Sequence, residues 1–172
     1  MYMDITGIIL SGGKSIRMGK NKSFLNLGDK TVIERVVDLM RAIFNEVIII
    51  TNEPELYKFL GLPLYEDIFK NVGPIAGIHS GLVNSKTVKN FVISCDIPLM
   101  NEAMIKSIIN LSNPDNQITV VKADGFIQEL CGVYDKSLIP VIEKIIKEDN
   151  YQEIRVKEQS KRKCSVHSLL PV

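Results

Sequence analysis

Two adjacent glycines, Gly12 and Gly13, follow the apolar run Ile5 to Leu10 and precede Lys14, Arg17, Lys20 and Lys22. Glycine lets backbone N–H groups approach a ligand with no Cβ in between, and a nest of such amides fringed by cations binds phosphate-like anions. Asn52, Asp67 and Asp96 each close a further apolar or extended segment. A carboxylate at the end of a buried strand, beside a phosphate loop, suits magnesium, a hard dication that takes oxygen ligands and usually keeps several waters. The combination points to chemistry at a phosphate.

Two common phosphate loops are excluded by spacing. The Walker pattern has four residues between its first glycine and Gly-Lys, then Ser or Thr; five residues separate Gly13 from Gly19, and Asn21 follows Lys20. The dinucleotide pattern G-x-G-x-x-G fails as well, because Gly12 and Gly13 touch and Gly19 lies six residues on.

The elements that must position these residues are legible as alternating periods. Ile5 to Leu10 reads as a buried strand. Thr31-Val32-Ile33-Glu34 reads as a capping box that starts a helix, with Val32, Val36, Leu39, Met40, Ile43 and Phe44 as its apolar stripe. Glu46 to Thr51 is a β-branched run, as expected for a strand covered on both faces of a parallel sheet, and it delivers Asn52 to the carboxyl edge where open α/β sheets bind ligands. Leu56, Phe59 and Leu60 suggest a short helix ending at Gly61, and Leu64 to Asp67 a short extended segment.

Pro74 opens a helix whose small residues, Ala76, Gly77, Ser80 and Gly81, imply close approach to the nucleotide or to the first strand. His79 reads as an ordinary residue of that helix. Asn90 to Pro98 is the fourth strand segment, carrying Asp96, with Cys95 as a small core residue. A helix is expected from Glu102 to about Leu111, a strand from Gln117 to Val121, and an antiparallel return from Ile127 to Tyr134. Ser137 is expected to cap a helix packing through Leu138, Val141, Ile142, Ile145 and Ile146. A short helix near Tyr151 and an edge strand at Cys164 to His167 would complete the chain.

The run from Leu10 to Lys22 resembles the nucleotidyltransferase signature L-[AS]-G-G-x-S-x-R-M-G-x-[DN]-K, in the Gly-Gly form of the molybdenum cofactor guanylyltransferase family. Gly73-Pro74-Ile75-Ala76-Gly77-Ile78 and Cys95-Asp96-Ile97-Pro98 are similar to that family's G-P-[LI]-A-G-[IL] and Cys-Asp-x-Pro motifs. The resemblance implies a three-layer α/β/α fold, a mostly parallel sheet with an antiparallel strand, of the Rossmann-like nucleotidyltransferase type. It implies transfer of GMP from GTP to the phosphate of a molybdopterin-type cofactor, with release of pyrophosphate. By the same resemblance, Leu10, Ser11, Gly12 and Gly13 wrap the triphosphate. Arg17 neutralises the leaving pyrophosphate, Lys22 steadies the α-phosphate, Asn52 contacts the guanine nucleoside, Asp67 reads the base, and Asp96 binds catalytic magnesium. A molybdoenzyme or its chaperone would receive the product.

Departures from the pattern keep rivals open. Gln128-Glu129 stands where the family often has Gln-Pro or His-Pro, and the Asn-x-Asn-[TS]-Pro motif is absent from this sequence. A cytidylyl- or uridylyltransferase sharing the loop is one alternative, and a non-catalytic nucleotide-binding regulator is another.

Bulk composition sets the remaining expectations. A length of 172 residues suits one domain spanning 1–172, burying roughly 70% of its unfolded surface. Lys and Arg total 21 against 20 Asp and Glu, so no broad basic field invites nucleic acid. The three cysteines form no zinc spacing or disulfide framework, and no apolar stretch approaches a membrane-spanning length. A reducing, cytoplasmic setting is expected.

Overall fold

The computed structural model describes residues 1–12, 22–97, 100–123, 125–148 and 164–168. Its strands are β1 (Tyr2–Leu10), β2 (Asn26–Leu27), β3 (Lys30–Thr31), β4 (Phe44–Ile50), β5 (Leu64–Tyr65), β6 (Lys89–Ser94), β7 (Ile118–Ala123), β8 (Phe126–Asp135) and β9 (Cys164–Ser168). Its helices are α1 (Val32–Ile43), α2 (Pro74–Asn84), α3 (Glu102–Leu111) and α4 (Ile139–Lys147). Seven strands form one sheet in the order β5-β4-β1-β6-β8-β7-β9, while β2 and β3 make a separate two-stranded ribbon. β8 runs antiparallel to both β6 and β7, and the remaining pairs of the large sheet are parallel.

The central strands read as unbroken apolar runs because each face has its own helical layer. Ile5 and Ile9 of β1, with Val47 and Ile49 of β4 and Phe91 and Ile93 of β6, pack with α1 and α3. The alternate residues Ile8, Leu10, Ile48, Ile50 and Val92 pack with α2 and α4. A period of two thus divides each strand between two cores. This is the expected α/β/α arrangement with one antiparallel strand.

Thr31 caps α1 as the sequence implies: its hydroxyl accepts from Glu34 N while Glu34 Oε2 accepts from Thr31 N at 2.8 Å. The cap contributes about 1 kcal/mol. Ile33, Val36, Val37, Met40 and Ile43 are buried, each worth roughly 1.5–3 kcal/mol, so burial outweighs capping in holding this helix. The apolar face is therefore rotated from the expected stripe: Ile33 and Val37 take the inner positions, and Phe44 already belongs to β4.

Other boundaries move for local reasons. The short helix before Gly61 is a 3-10 turn, Pro54–Leu60, in which Tyr57 and Leu60 are buried while Leu56 and Phe59 face solvent. Ser137 does not cap the last helix. Asp135 does the capping one turn earlier, accepting from Ser137 N at 2.8 Å, and a 3-10 turn, Lys136–Leu138, leads into α4. Ser137 Oγ instead accepts from Gln117 Nε2 at 3.0 Å. The short helix expected near Tyr151 lies outside the described residues.

The sheet order concentrates the candidate residues. β4 and β5 lie on one side of β1 and β6 on the other, so the chain reverses direction across the sheet beside β1. Ligands of open α/β sheets bind at the carboxyl ends of strands at such a reversal.

Candidate active site

The exit of β1 is locked to both neighbouring strands before the glycine loop begins. Ser11 N donates to Ile50 O at 2.9 Å, and Cys95 N donates to Leu10 O at 3.0 Å. Ser11 is fully buried, its Oγ 3.2 Å from Ser23 Oγ, which lies 3.0 Å from Cys95 Sγ. This chain of buried groups ties the loop's entrance to the residue after Lys22 and the residue before Asp96.

The Ser11 amide is bonded to Ile50 O, and Leu10 has its side chain in the core. Gly12, the next residue, is exposed. A Cβ there would make ordinary contact with Asn52 N at 3.8 Å and Thr51 Cα at 3.9 Å, so packing against these neighbours does not demand glycine. Gly13 and Arg17 lie outside the described residues, while Lys22 is exposed at the start of the 3-10 turn Lys22–Phe24.

A second corner forms where β4 and β5 end. Asn52 Nδ2 donates to Asp67 Oδ2 at 2.6 Å, and Asp67 N donates to Asn52 Oδ1 at 3.3 Å. Lys70 Nζ donates to the same Asn52 Oδ1 at 2.9 Å and also pairs with Glu66. α2 lies close beneath: a Cβ at Gly77 would sit 3.3 Å from Leu10 Cδ2 and 3.7 Å from Asp67 Oδ1, and one at Gly81 only 2.6 Å from Ile8 Cγ2. The small residues of α2 therefore allow it to lie against β1, bringing its first turn beside Asp67.

Asp96 stands in the turn after β6, exposed, its Oδ1 accepting from Ser94 Oγ at 2.6 Å. It borders a concavity of ≈ 310 Å³ whose other wall is the start of β8, including Gln128 and Glu129. The antiparallel return thus faces Asp96 across open space.

The donor set suits a magnesium ion. Among the described residues no group of three or more His, Cys, Asp or Glu could hold a metal. Magnesium bound with substrate needs only one or two carboxylates, the rest of its shell being phosphate oxygens and water. An exposed Asp96 in the turn after β6 can supply such a carboxylate.

Lys70, Ser23 and Glu66 were not evident as site residues in the sequence. Glu66 and Lys70 are four apart, a spacing that hints at an ion pair, but the contact of Lys70 with Asn52 exists only once β4 and β5 are paired. His79 is buried, its Nε2 3.3 Å from Glu143 Oε1 and its ring set edge-on to Phe69 with centroids 4.9 Å apart. It is a core residue beneath the Asp67 loop. Cys95 and Cys131 are buried free thiols, and burial pushes Cys131 up to about 12.

The three-layer α/β/α arrangement, with exposed Gly12 and Asp96 and the Asn52–Asp67 corner following the carboxyl ends of its parallel strands, is that expected of an α/β nucleotidyltransferase. Residues 7–162 match the MobA-like NTP transferase domain, and the chain belongs to that family. A probable molybdenum cofactor guanylyltransferase from Carboxydothermus hydrogenoformans is 39% identical over 160 residues, covering 90% of this chain and 80% of the relative. A molybdenum cofactor guanylyltransferase from Desulfosudis oleivorans is 32% identical, with 92% and 82% covered. Among solved structures, molybdopterin-guanine dinucleotide biosynthesis protein A from Archaeoglobus fulgidus superposes with a TM-score of 0.78 at 20% identity, covering 95% of this chain and 83% of that one. That last likeness shows the shared fold. No helix among the described residues is long and apolar enough to cross a membrane.

Proposed function

We propose that this nucleotidyltransferase moves GMP from GTP to the phosphate of a molybdopterin-type cofactor and releases pyrophosphate. The observation that carries the reading is the Asn52–Asp67 pair, joined at 2.6 Å beyond the carboxyl ends of β4 and β5. A carboxylate there can accept from guanine N1–H and N2–H together, whereas cytosine and uracil offer no such adjacent pair of donors. The names of the relatives from Carboxydothermus hydrogenoformans and Desulfosudis oleivorans support the same substrate.

In the reaction, an oxygen of the acceptor phosphate attacks the α-phosphorus of GTP, and the bond from that phosphorus to the α,β-bridging oxygen breaks. Pyrophosphate leaves with the electron pair. A phosphate monoester has its second pKa near 6 and is mostly dianionic at neutral pH, so no side chain need remove a proton. The demand on the protein is positioning and charge cancellation. Amides from Gly12 onward cradle the phosphates, Lys22 steadies the α-phosphate, Arg17 offsets the charge of the leaving group, and Asp96 is the magnesium ligand. Bound magnesium would supply Lewis-acid neutralisation of phosphate oxygens. A molybdoenzyme or its chaperone as the next recipient belongs to the same proposal.

The test is pyrophosphate release from GTP, CTP, UTP and ATP in turn, with magnesium and molybdenum cofactor present. Release with GTP and little with the others is expected. Release with CTP alone would overturn the guanine assignment.

A further inference from the structure

We propose that Lys70 is a base-specificity residue, donating a hydrogen bond to the exocyclic keto oxygen of the bound purine. The inference rests on the guanine reading above and assigns a residue which that reading leaves out.

The argument starts from what already satisfies Lys70. An ion pair four residues apart on the surface, such as Lys70–Glu66, is by itself a weak and ordinary contact. Lys70 does more, because its ammonium also reaches Asn52 Oδ1 at 2.9 Å, across from another strand end. The loop that carries it is fixed at successive residues. Asp67 N donates to Asn52 Oδ1, Ile68 N donates to the fully buried Ser80 Oγ at 2.8 Å, and the Phe69 ring packs edge-on against His79. Asn71 then turns the chain at φ 63° and Gly73 at φ 92°. Lys70 therefore projects from a constrained backbone, and Glu66 holds its head group beside Asn52.

The Asn52 side chain shows what this corner recognises. Its amide is an O=C–N–H unit: the oxygen takes Lys70, and the nitrogen gives its proton to Asp67 Oδ2. The O6–C6–N1–H edge of guanine is the same unit, with an acceptor beside a donor at amide spacing. A cation and a carboxylate set to hold one amide are set to hold the other. Lys70 has three donors, of which Asn52 and Glu66 take two, and each Asp67 oxygen has two lone pairs. Adenine offers the reverse order, an amino donor beside an unprotonated ring nitrogen, so it would set its amino group against the ammonium. Uracil matches at O4 and N3–H but turns O2 towards Asp67, where guanine presents N2–H.

The discriminating ligand is 2,6-diaminopurine riboside triphosphate, which keeps the 2-amino group of GTP but has an amino group for the keto oxygen and an unprotonated ring nitrogen for N1–H. The lost N1–H acts on Asp67 in wild type and Lys70 variants alike, so the change in the GTP-to-analogue ratio on substituting Lys70 reports the contact to the keto oxygen. Affinities of the full chain for GTP, this analogue and ATP are measured by calorimetric titration with magnesium, for the wild type and for Lys70→Met, Lys70→Gln and Lys70→Arg. The wild type should favour GTP over the analogue, and Lys70→Met and Lys70→Gln should each shrink that preference by about tenfold or more. Lys70→Arg should retain most of it. A general loss of stability would weaken both ligands alike and leave the ratio unchanged. A wild-type ratio in both Lys70→Met and Lys70→Gln overturns the assignment. A wild type that does not favour GTP over ATP instead overturns the guanine reading itself, before any variant is compared.

Discussion

Ser23 Oγ lies 3.0 Å from Cys95 Sγ and 3.2 Å from Ser11 Oγ, all three residues being buried. This contact joins segments 72 residues apart and sets the distance between the two parts of the site. Lys22 precedes Ser23 and Asp96 follows Cys95, so the link fixes both backbones at the point where each enters the active edge. Ser23→Ala should leave the buried Ser11 hydroxyl without this partner and lower stability by about 1–2 kcal/mol. Urea unfolding of the two proteins checks it, and an unchanged midpoint would show that the bridge contributes nothing.

Gly132→Ala should destabilise, although glycine in a strand is usually a cost relative to alanine. Gly132 sits opposite Val92 of β6 and Val120 of β7, beside the bulge between Val120 and Val121. An added Cβ would meet Thr119 O at 2.4 Å and Val120 Cγ1 at 2.9 Å. The first contact is with backbone and cannot be relieved by a rotamer change. The cost is about 1–3 kcal/mol, which exceeds the roughly 0.4–1 kcal/mol gained from reduced unfolded-state freedom, and a drop in thermal midpoint is the expected reading.

The parts of this molecule that were legible in the sequence are those governed by local pattern. The capping box at Thr31 and Glu34, the helix Glu102–Leu111 and the antiparallel return of β8 follow from periodicity and turn chemistry. The convergence of Asn52, Asp67 and Asp96 on one edge follows from parallel strands delivering their carboxyl ends together. What was not legible depends on pairings distant in sequence. The burial of Ile33 and Val37 in place of flanking positions is set by how α1 seats on β1 and β4. Lys70 meets Asn52 only because β5 lies beside β4. The Ser11 amide completes a strand-end bond to Ile50 that no local signal marks.

Asp135 should make stability fall in acid. Partial burial acts to raise its carboxyl, but hydrogen bonds from the Ser137 hydroxyl and amide and from Lys89, whose Nζ is 3.2 Å away, outweigh it and hold the group below its ordinary range. A folded pKa below the unfolded one gives stabilisation that is fully present above the unfolded value, near 3.9, and lost as pH falls through the folded one. Asp135→Asn removes the charge while keeping an acceptor for Ser137 N. The stability gap between wild type and variant should be constant from neutral pH to about pH 5 and close below about pH 4. Denaturant unfolding at stepped pH measures it, and a gap that widens in acid would reverse the sign.

Asp96→Asn should abolish most turnover while sparing the fold. The side chain is exposed and its described partner is Ser94 Oγ, a donor that an asparagine oxygen still satisfies. What the amide cannot supply is the anionic oxygen that magnesium requires, so pyrophosphate release with GTP should drop by about a hundredfold or more at saturating magnesium. Lys22→Ala should also lower turnover more than GTP affinity, because its charge is needed most as the α-phosphorus is attacked. Lys144, at the far end of α4 with its side chain paired to Glu148, provides the control: Lys144→Ala should leave release unchanged. Full turnover in Asp96→Asn would remove the metal assignment. An equal loss in the Lys22 and Lys144 variants would remove the special status of Lys22.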